Sequence, residues 1–216
     1  KGGSAPLTRF ILGFFAMIGC LMFLGCPFRM ILRLAGGDLN AVFGLVGFGV
    51  GILCGIFFLT RGYTFKRTYV MSKCEGFLFP AMQVAFFVLL VAAPAFILFS
   101  PEGAGPGALH APIIISLVAG LIVGAMAQKT RLCMVGGVRD FVLFKDAKLL
   151  SGFVAVFAAA LIVNLILTAT GDTAYFTLAM EGQPVAHVDG LWNALGMLLA
   201  GFACTLLGGC PLRQLV

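Results

Sequence analysis

The chain has 216 residues, of which 61% are hydrophobic and 10% charged, with a formal net charge of +6. Soluble domains carry roughly a quarter charged residues, so this composition excludes an ordinary soluble fold and describes an integral membrane protein. The basic residues sit in short loops and motifs without interleaved aromatics, which argues against nucleic acid as a partner and for cytoplasmic retention of Lys and Arg.

Leu7 to Gly25 is the first apolar segment, anchored by Arg9 and near the minimum of about 17 residues needed to span a bilayer. No small-residue cleavage pattern follows it. It ends in Gly25-Cys26-Pro27-Phe28-Arg29. Met30 to Asn40, with Arg33, Gly36, Gly37 and Asp38, is too polar for lipid contact and is expected as a half-helix or loop buried in protein. Ala41 to Leu59 is the second span. Its Gly47, Gly51 and Gly55 have the spacing of ordinary close helix packing. Arg61 to Lys73 holds four basic residues and no acid, so it is placed in the cytoplasm.

Gly76 to Phe99 is the third span, with Pro80 near its start and Pro94 as an expected kink. Ser100 to Ala111 is an outer loop. Pro112 to Ala127 is the fourth segment and runs into Gln128 to Asp140, a stretch holding Arg131, Cys133, Gly136, Gly137, Arg139 and Asp140. Phe141 to Lys148 is a short mixed piece, and Leu149 to Thr168 the fifth span. Gly171 to Gly190, acidic and without Lys or Arg, lies outside. Leu191 to Leu207 is the sixth span and ends in Gly208-Gly209-Cys210-Pro211-Leu212-Arg213.

Aligning Cys26 with Cys210 also aligns Ala16 with Ala200, Cys20 with Cys204, Gly25 with Gly209, Pro27 with Pro211 and Arg29 with Arg213. The loop charges make the first copy rise from the cytoplasm and the second descend to it. That is an inverted repeat, the arrangement in which transporters place sites at discontinuous helices near the midplane. The division expected is a repeat half over 1–60, a linking span over 61–111 and a second half over 112–216 of a single transmembrane domain. The chain opens in Lys1-Gly2-Gly3-Ser4 and stops at Val216, just after a motif, so it reads as a piece of a longer protein.

Proline stops the preceding helix and is well placed to begin another. Helix N-termini attract anions and lower the pKa of a thiol placed there. An arginine inside a membrane usually faces a cavity. A soft sulfur, an open helix end and a cation suit a soft anion carrying sulfur or selenium. Cys20, Cys54 and Cys204 read instead as small buried hydrophobes, and Cys74 as incidental. Gly136-Gly137 permits a sharp break and close backbone approach. Arg139 and Asp140 either neutralise each other or contact a ligand. No Cys-x-x-Cys occurs, and His110 and His187 fall in predicted outer loops, so neither metal nor cofactor is expected. Gln83 and Asn164 are expected to bond across helices.

The stretches Leu24 to Asp38, Gln128 to Asp140 and Gly208 to Gln214, with His110-Ala111-Pro112-Ile113 and Pro184-Val185-Ala186-His187, resemble the YeeE/YedE family of sulfur-compound transport proteins, most closely its YedE-like branch associated with selenium metabolism. The resemblance implies an all-α, hourglass-like bundle whose short helices meet at a constriction. It implies a path lined by Cys26, Cys133 and Cys210, which pass the substrate through weak sulfur-centred hydrogen bonds. It also implies a cysteine motif before the first segment and further helices after the last. The Cys-Pro-x-Arg form departs from the Gly-Gly-Cys-Thr form of the thiosulfate branch, so the substrate class stays at a small sulfur or selenium anion such as thiosulfate.

The function expected is uptake of such an anion across a bacterial or archaeal inner membrane, by a multi-pass protein. Cys26, Cys133 and Cys210 line the path, Arg29 and Arg213 supply field, and Gly25, Pro27, Gly209 and Pro211 shape the breaks. Arg131, Gly136, Gly137, Arg139 and Asp140 give support. Partners expected are the substrate, the bilayer and a cytoplasmic protein that accepts sulfur or selenium. Two rivals remain open: a membrane-embedded thiol enzyme that relays sulfur or selenium covalently, and a channel for water or a neutral solute.

Overall fold

The computed structural model describes residues 2–3, 6–63, 69–70, 73–92, 112–171, 175–180 and 188–209. These form α1 (Pro6–Phe23), α2 (Pro27–Ala35), α3 (Asn40–Thr60), α4 (Lys73–Ala92), α5 (Ile113–Thr130), α6 (Met134–Phe144), α7 (Lys148–Thr170) and α8 (Gly190–Leu207). A two-residue antiparallel pair joins β1 (Gly2–Gly3) to β2 (Tyr69–Val70). Leu7–Ala35, Asn40–Thr60, Ile113–Phe144, Lys148–Thr170 and Gly190–Leu207 are long and apolar enough to cross a membrane, with a shorter apolar stretch at Pro80–Leu89 in α4. Large apolar side chains such as Phe10, Phe14, Val46, Phe57 and Ile114 point outward along these helices. That inversion of the soluble pattern and the helical backbone, which satisfies its own polar groups, define a multi-pass helical membrane protein. Five of the six spans read from the sequence are among these helices; of the third, Gly76 to Phe99, the part up to Ala92 is helical in α4 and the rest lies outside the described residues. Pro80 lies inside α4; Pro94 lies outside the described residues.

The core is built by glycine. α3 and α8 run parallel and touch backbone to backbone: a Cβ on Gly47 would lie 2.1 Å from the Ala194 carbonyl oxygen, one on Gly51 2.1 Å from that of Leu198, and one on Gly201 2.5 Å from that of Phe48. α1 runs antiparallel to α8, with Gly19 against Gly196 and Ala200, and Met22 against Gly196. Ala16 and Ala200, paired in the sequence alignment, are both buried here. Small residues allow this approach because helices in lipid associate through packing rather than through a hydrophobic driving force. Gly47→Val is expected to lower stability by about 3 kcal/mol or more, because backbone cannot yield to an inserted side chain. Gly49→Val, with nothing within 4 Å of its Cβ position, serves as the near-neutral control in thermal unfolding of the detergent-solubilised protein.

α2, α6 and α7 pack beside this triplet: α2 against α3 and α7, and α6 against α3, α7 and α8. A Cβ on Gly137 would lie 3.2 Å from the Leu150 nitrogen, so this glycine lets α6 settle on the first turn of α7. α2 ends beside the final turns of α7, where Asn164 Nδ2 donates to the Ala35 carbonyl at 3.1 Å. α6 instead leads through Lys145 and Asp146 into the first turn of α7. The two short helices thus finish at opposite ends of α7.

The polar stretch after Cys26 is a short helix and turn held inside protein, as its composition requires. Arg33 and Asp38 are 4% and 2% exposed and form an ion pair at 2.6 Å. Arg33 Nη1 also donates to the Phe23 carbonyl at 2.9 Å, and its guanidinium lies 4.4 Å over the Phe23 ring. Asp38 Oδ1 accepts the Asn40 N–H at 2.9 Å, and Asn40 accepts from Asn193 Nδ2 at 3.4 Å. This chain of polar groups ties α1, α2, α3 and α8 together at one end of the bundle.

Candidate functional site

Five helices among the described residues stop in the same way: α1, α5 and α8, and also α2 at Gly37 (φ 90°) and α3 at Gly62 (φ 94°), where the Asp38 and Tyr63 N–H groups reach back to the Arg33 and Phe58 carbonyls. Leu24 (φ 54°), Arg131 (φ 53°) and Gly208 (φ 84°) each adopt the left-handed conformation directly after a long helix. In each case the next N–H reaches back five residues: Gly25 to the Cys20 carbonyl at 3.0 Å, Leu132 to that of Ala127 at 3.3 Å, and Gly209 to that of Cys204 at 3.1 Å. This is the Schellman ending, in which a left-handed residue turns the chain and satisfies orphan carbonyls. After α1, α5 and α8 the residue that follows is a cysteine, Cys26, Cys133 and, in sequence after Gly209, Cys210; after α2 and α3 it is Leu39 and Thr64. Cys210, Pro211 and Arg213 themselves lie outside the described residues.

Cys26 is the N-cap of α2, extended at φ −78° and ψ 166°. Its carbonyl accepts the first helical bond, from Met30 N–H at 3.0 Å. Its sulfur caps nothing, and Pro27 stands at the first helical position, where a missing N–H does no harm. The Phe28 and Arg29 N–H groups have no partner among the described residues. Cys26 is half-buried, whereas Arg29 is exposed and makes no ion pair among the described residues. The Arg29 stem folds back over Gly25, where a Cβ would lie 3.1 Å from Arg29 Cδ. Thiol, open N–H groups and an unpaired guanidinium therefore collect at one helix start. α1 has already ended at Phe23, so Cys20 and Cys26 do not share a helix.

Cys133 occupies the corresponding place on α6 with different surroundings. It is fully buried, and its sulfur accepts the Gly136 N–H at 3.3 Å, a side-chain N-cap. Gly136 leaves room for that sulfur, since a Cβ there would lie 3.3 Å from it. The Gly136-Gly137 pair is not the chain break the sequence suggested. Both residues are helical, and the break falls earlier, at Arg131. Arg139 and Asp140 bond each other at 2.9–3.0 Å and are partly buried. Arg131 is exposed without an ion pair among the described residues.

Of the cysteines read as small hydrophobes, Cys204 is buried, Cys20 is half-buried and Cys54 is exposed on α3. The described residues contain no group of His, Cys, Asp or Glu arranged to hold a metal ion. His110 and His187 lie outside them. Sequence reasoning passed over Asn40 and Asn193; a polar residue inside an apolar helix is the signal that marks such positions. It also left α6 unassigned as a helix.

A multi-pass helical membrane protein is the class that the fold defines. No family model, curated protein or solved structure matches the chain.

Proposed function

We propose that this protein carries a small sulfur- or selenium-containing anion across the membrane, as its resemblance to the YeeE/YedE family implies, along a path marked by Cys26, Cys133 and Cys210. The observation that carries the reading is that Cys26 and Cys133 each stand as the N-cap of a short helix just after a left-handed break, with Cys210 following a third such break in sequence. Chains break helices in hydrocarbon only where protein or a cavity satisfies the backbone, and half-helix ends are where transporters bind ions. At Cys26 the open N–H groups and Arg29 favour negative charge, while the sulfur offers a soft, weak contact.

The antiparallel course of α1 and α8 supports an inverted repeat, since these helices carry the two aligned Cys-Pro motifs. The opposite endings of α2 and α6 on α7 point the same way and fit an hourglass. The pairing of β1 with β2 puts the chain start beside the basic 61–73 loop, consistent with both on the cytoplasmic side. The full burial of Cys133 then corresponds to a closed state of the path.

Serine at positions 26, 133 and 210 tests the reading, because a hydroxyl preserves capping while removing sulfur. In the full-length protein, expressed in cells lacking their own uptake system, the triple variant is expected to insert normally and to lose thiosulfate or selenite uptake. Wild-type uptake by that variant sinks the proposal. A covalent adduct on a cysteine that forms and decays at the turnover rate favours the thiol-enzyme rival instead.

A further inference from the structure

Two groups of helices meet in this bundle. α1, α3 and α8 touch through glycine, with backbone against backbone and no slack. Beside them stand α2, α6 and α7, and an open apolar groove of about 230 Å³ lies in the seam between the groups. It is lined by Ile31 and Leu34 of α2, Leu45 of α3, Met134 of α6, and Phe153 and Phe157 of α7.

One end of that seam is tied by the segment 175–180, which joins no helix of its own. Thr177 N–H donates to the Gly36 carbonyl at 3.1 Å and Ala179 N–H to that of Gly37 at 3.3 Å. Leu39 N–H returns a bond to the Ala179 carbonyl at 3.2 Å, and Asn40 Nδ2 donates to that of Met180 at 2.6 Å. The Tyr175 and Phe176 N–H groups both donate to Thr168 Oγ1 of α7, at 3.1 and 3.0 Å. Gly37, at φ +90°, leaves no room for a side chain, because a Cβ would lie 2.5 Å from the Thr177 carbonyl oxygen. The segment therefore bonds to the end of α2, the start of α3 and the last turns of α7 at once. α2 has nine residues, too few for a helix to hold itself.

We infer that residues 175–180 are a latch on this seam. While docked, they pin the α2 half-helix, which bears Cys26 and Arg29, against α3 and α7. When released, they loosen the end of α2, which is then held, among the described residues, only by the Arg33 bonds to Phe23 and Asp38, the Asn164 bond to Ala35 and its side-chain packing. The latch is a property of the fold and does not depend on what the path carries.

Hydrogen exchange of the full chain in lipid nanodiscs tests this. Ala179→Pro removes the N–H that reaches Gly37, and Thr168→Val removes the acceptor of Tyr175 and Phe176 with little change of shape. Either is expected to speed exchange of the Met30 to Ala35 amides at least about fivefold, the change that one lost net hydrogen bond produces. Amides of Phe48 to Ile56 and Met197 to Thr205 are expected to keep their wild-type rates. Unchanged exchange in α2 with both variants overturns the latch. So does equal acceleration in α2, α3 and α8, which would make the segment an ordinary part of one cooperative fold.

Discussion

Replacing Arg33 by methionine is expected to destabilise the protein by about 3–5 kcal/mol, the cost of leaving a buried charge without its partner. Asp38, 2% exposed, would keep its carboxylate in a place water does not reach. The Phe23 carbonyl would lose its donor just where α1 stops. Asp38→Asn is expected to cost less, since an amide still offers an oxygen to the Asn40 N–H and the guanidinium keeps the Phe23 carbonyl. Combining Arg33→Met with Asp38→Asn should recover a large part of the single Arg33 loss, because neither charge is then stranded. Unfolding of the four proteins in detergent micelles gives the cycle directly. Single variants within about 1 kcal/mol of wild type would mean that the pair is solvated and that Arg33 is available to the transport path after all.

That assignment marks how far the sequence could be read. The spans were legible because hydropathy is local: Leu7 to Gly25 or Ala41 to Leu59 betray themselves by apolar length, and α1 and α3 stand there. The roles of Gly47 and Gly51 were legible because their spacing is a helix-face signal and their partner is any neighbouring helix. The break before Cys133 was not legible. A Schellman ending usually shows a glycine at the left-handed position, as it does at Gly208, but here Arg131 and at the first joint Leu24 take that conformation. The visible glycines, Gly136 and Gly137, lie one turn further on and serve contact rather than bending. The same locality hid the latch. Nothing in Tyr175 to Met180 announces a partner 140 residues away, because its bonds are made by backbone groups that every sequence carries. Arg29 and Arg33, equivalent in composition, were separated only by position: one reaches Asp38 and the other does not.

Removing the charge of Arg29 is the converse experiment, with a large expected effect on transport and almost none on the fold. Arg29 is exposed and has no ion-pair partner among the described residues, so Arg29→Gln should leave thermal unfolding unchanged, as surface substitutions generally do. Arg29 stands in the first turn of α2, where the guanidinium and the open N–H groups make a positive pole without a fixed counter-charge among the described residues. A hydrogen bond to a charged group contributes about 1.5–3 kcal/mol, so uptake measured as kcat/KM should fall by about tenfold to a hundredfold. Arg29→Lys keeps the charge but loses the planar fork, and is expected to retain an intermediate rate. Arg33 cannot substitute, since Asp38 already neutralises it. A neutral solute feels none of this, so flux that is indifferent to Arg29→Gln would identify a pore for uncharged molecules and sink the anion path. The two arginines therefore form an opposed pair of tests. Arg33 should govern stability, and only Arg29 should govern the passage of an anion.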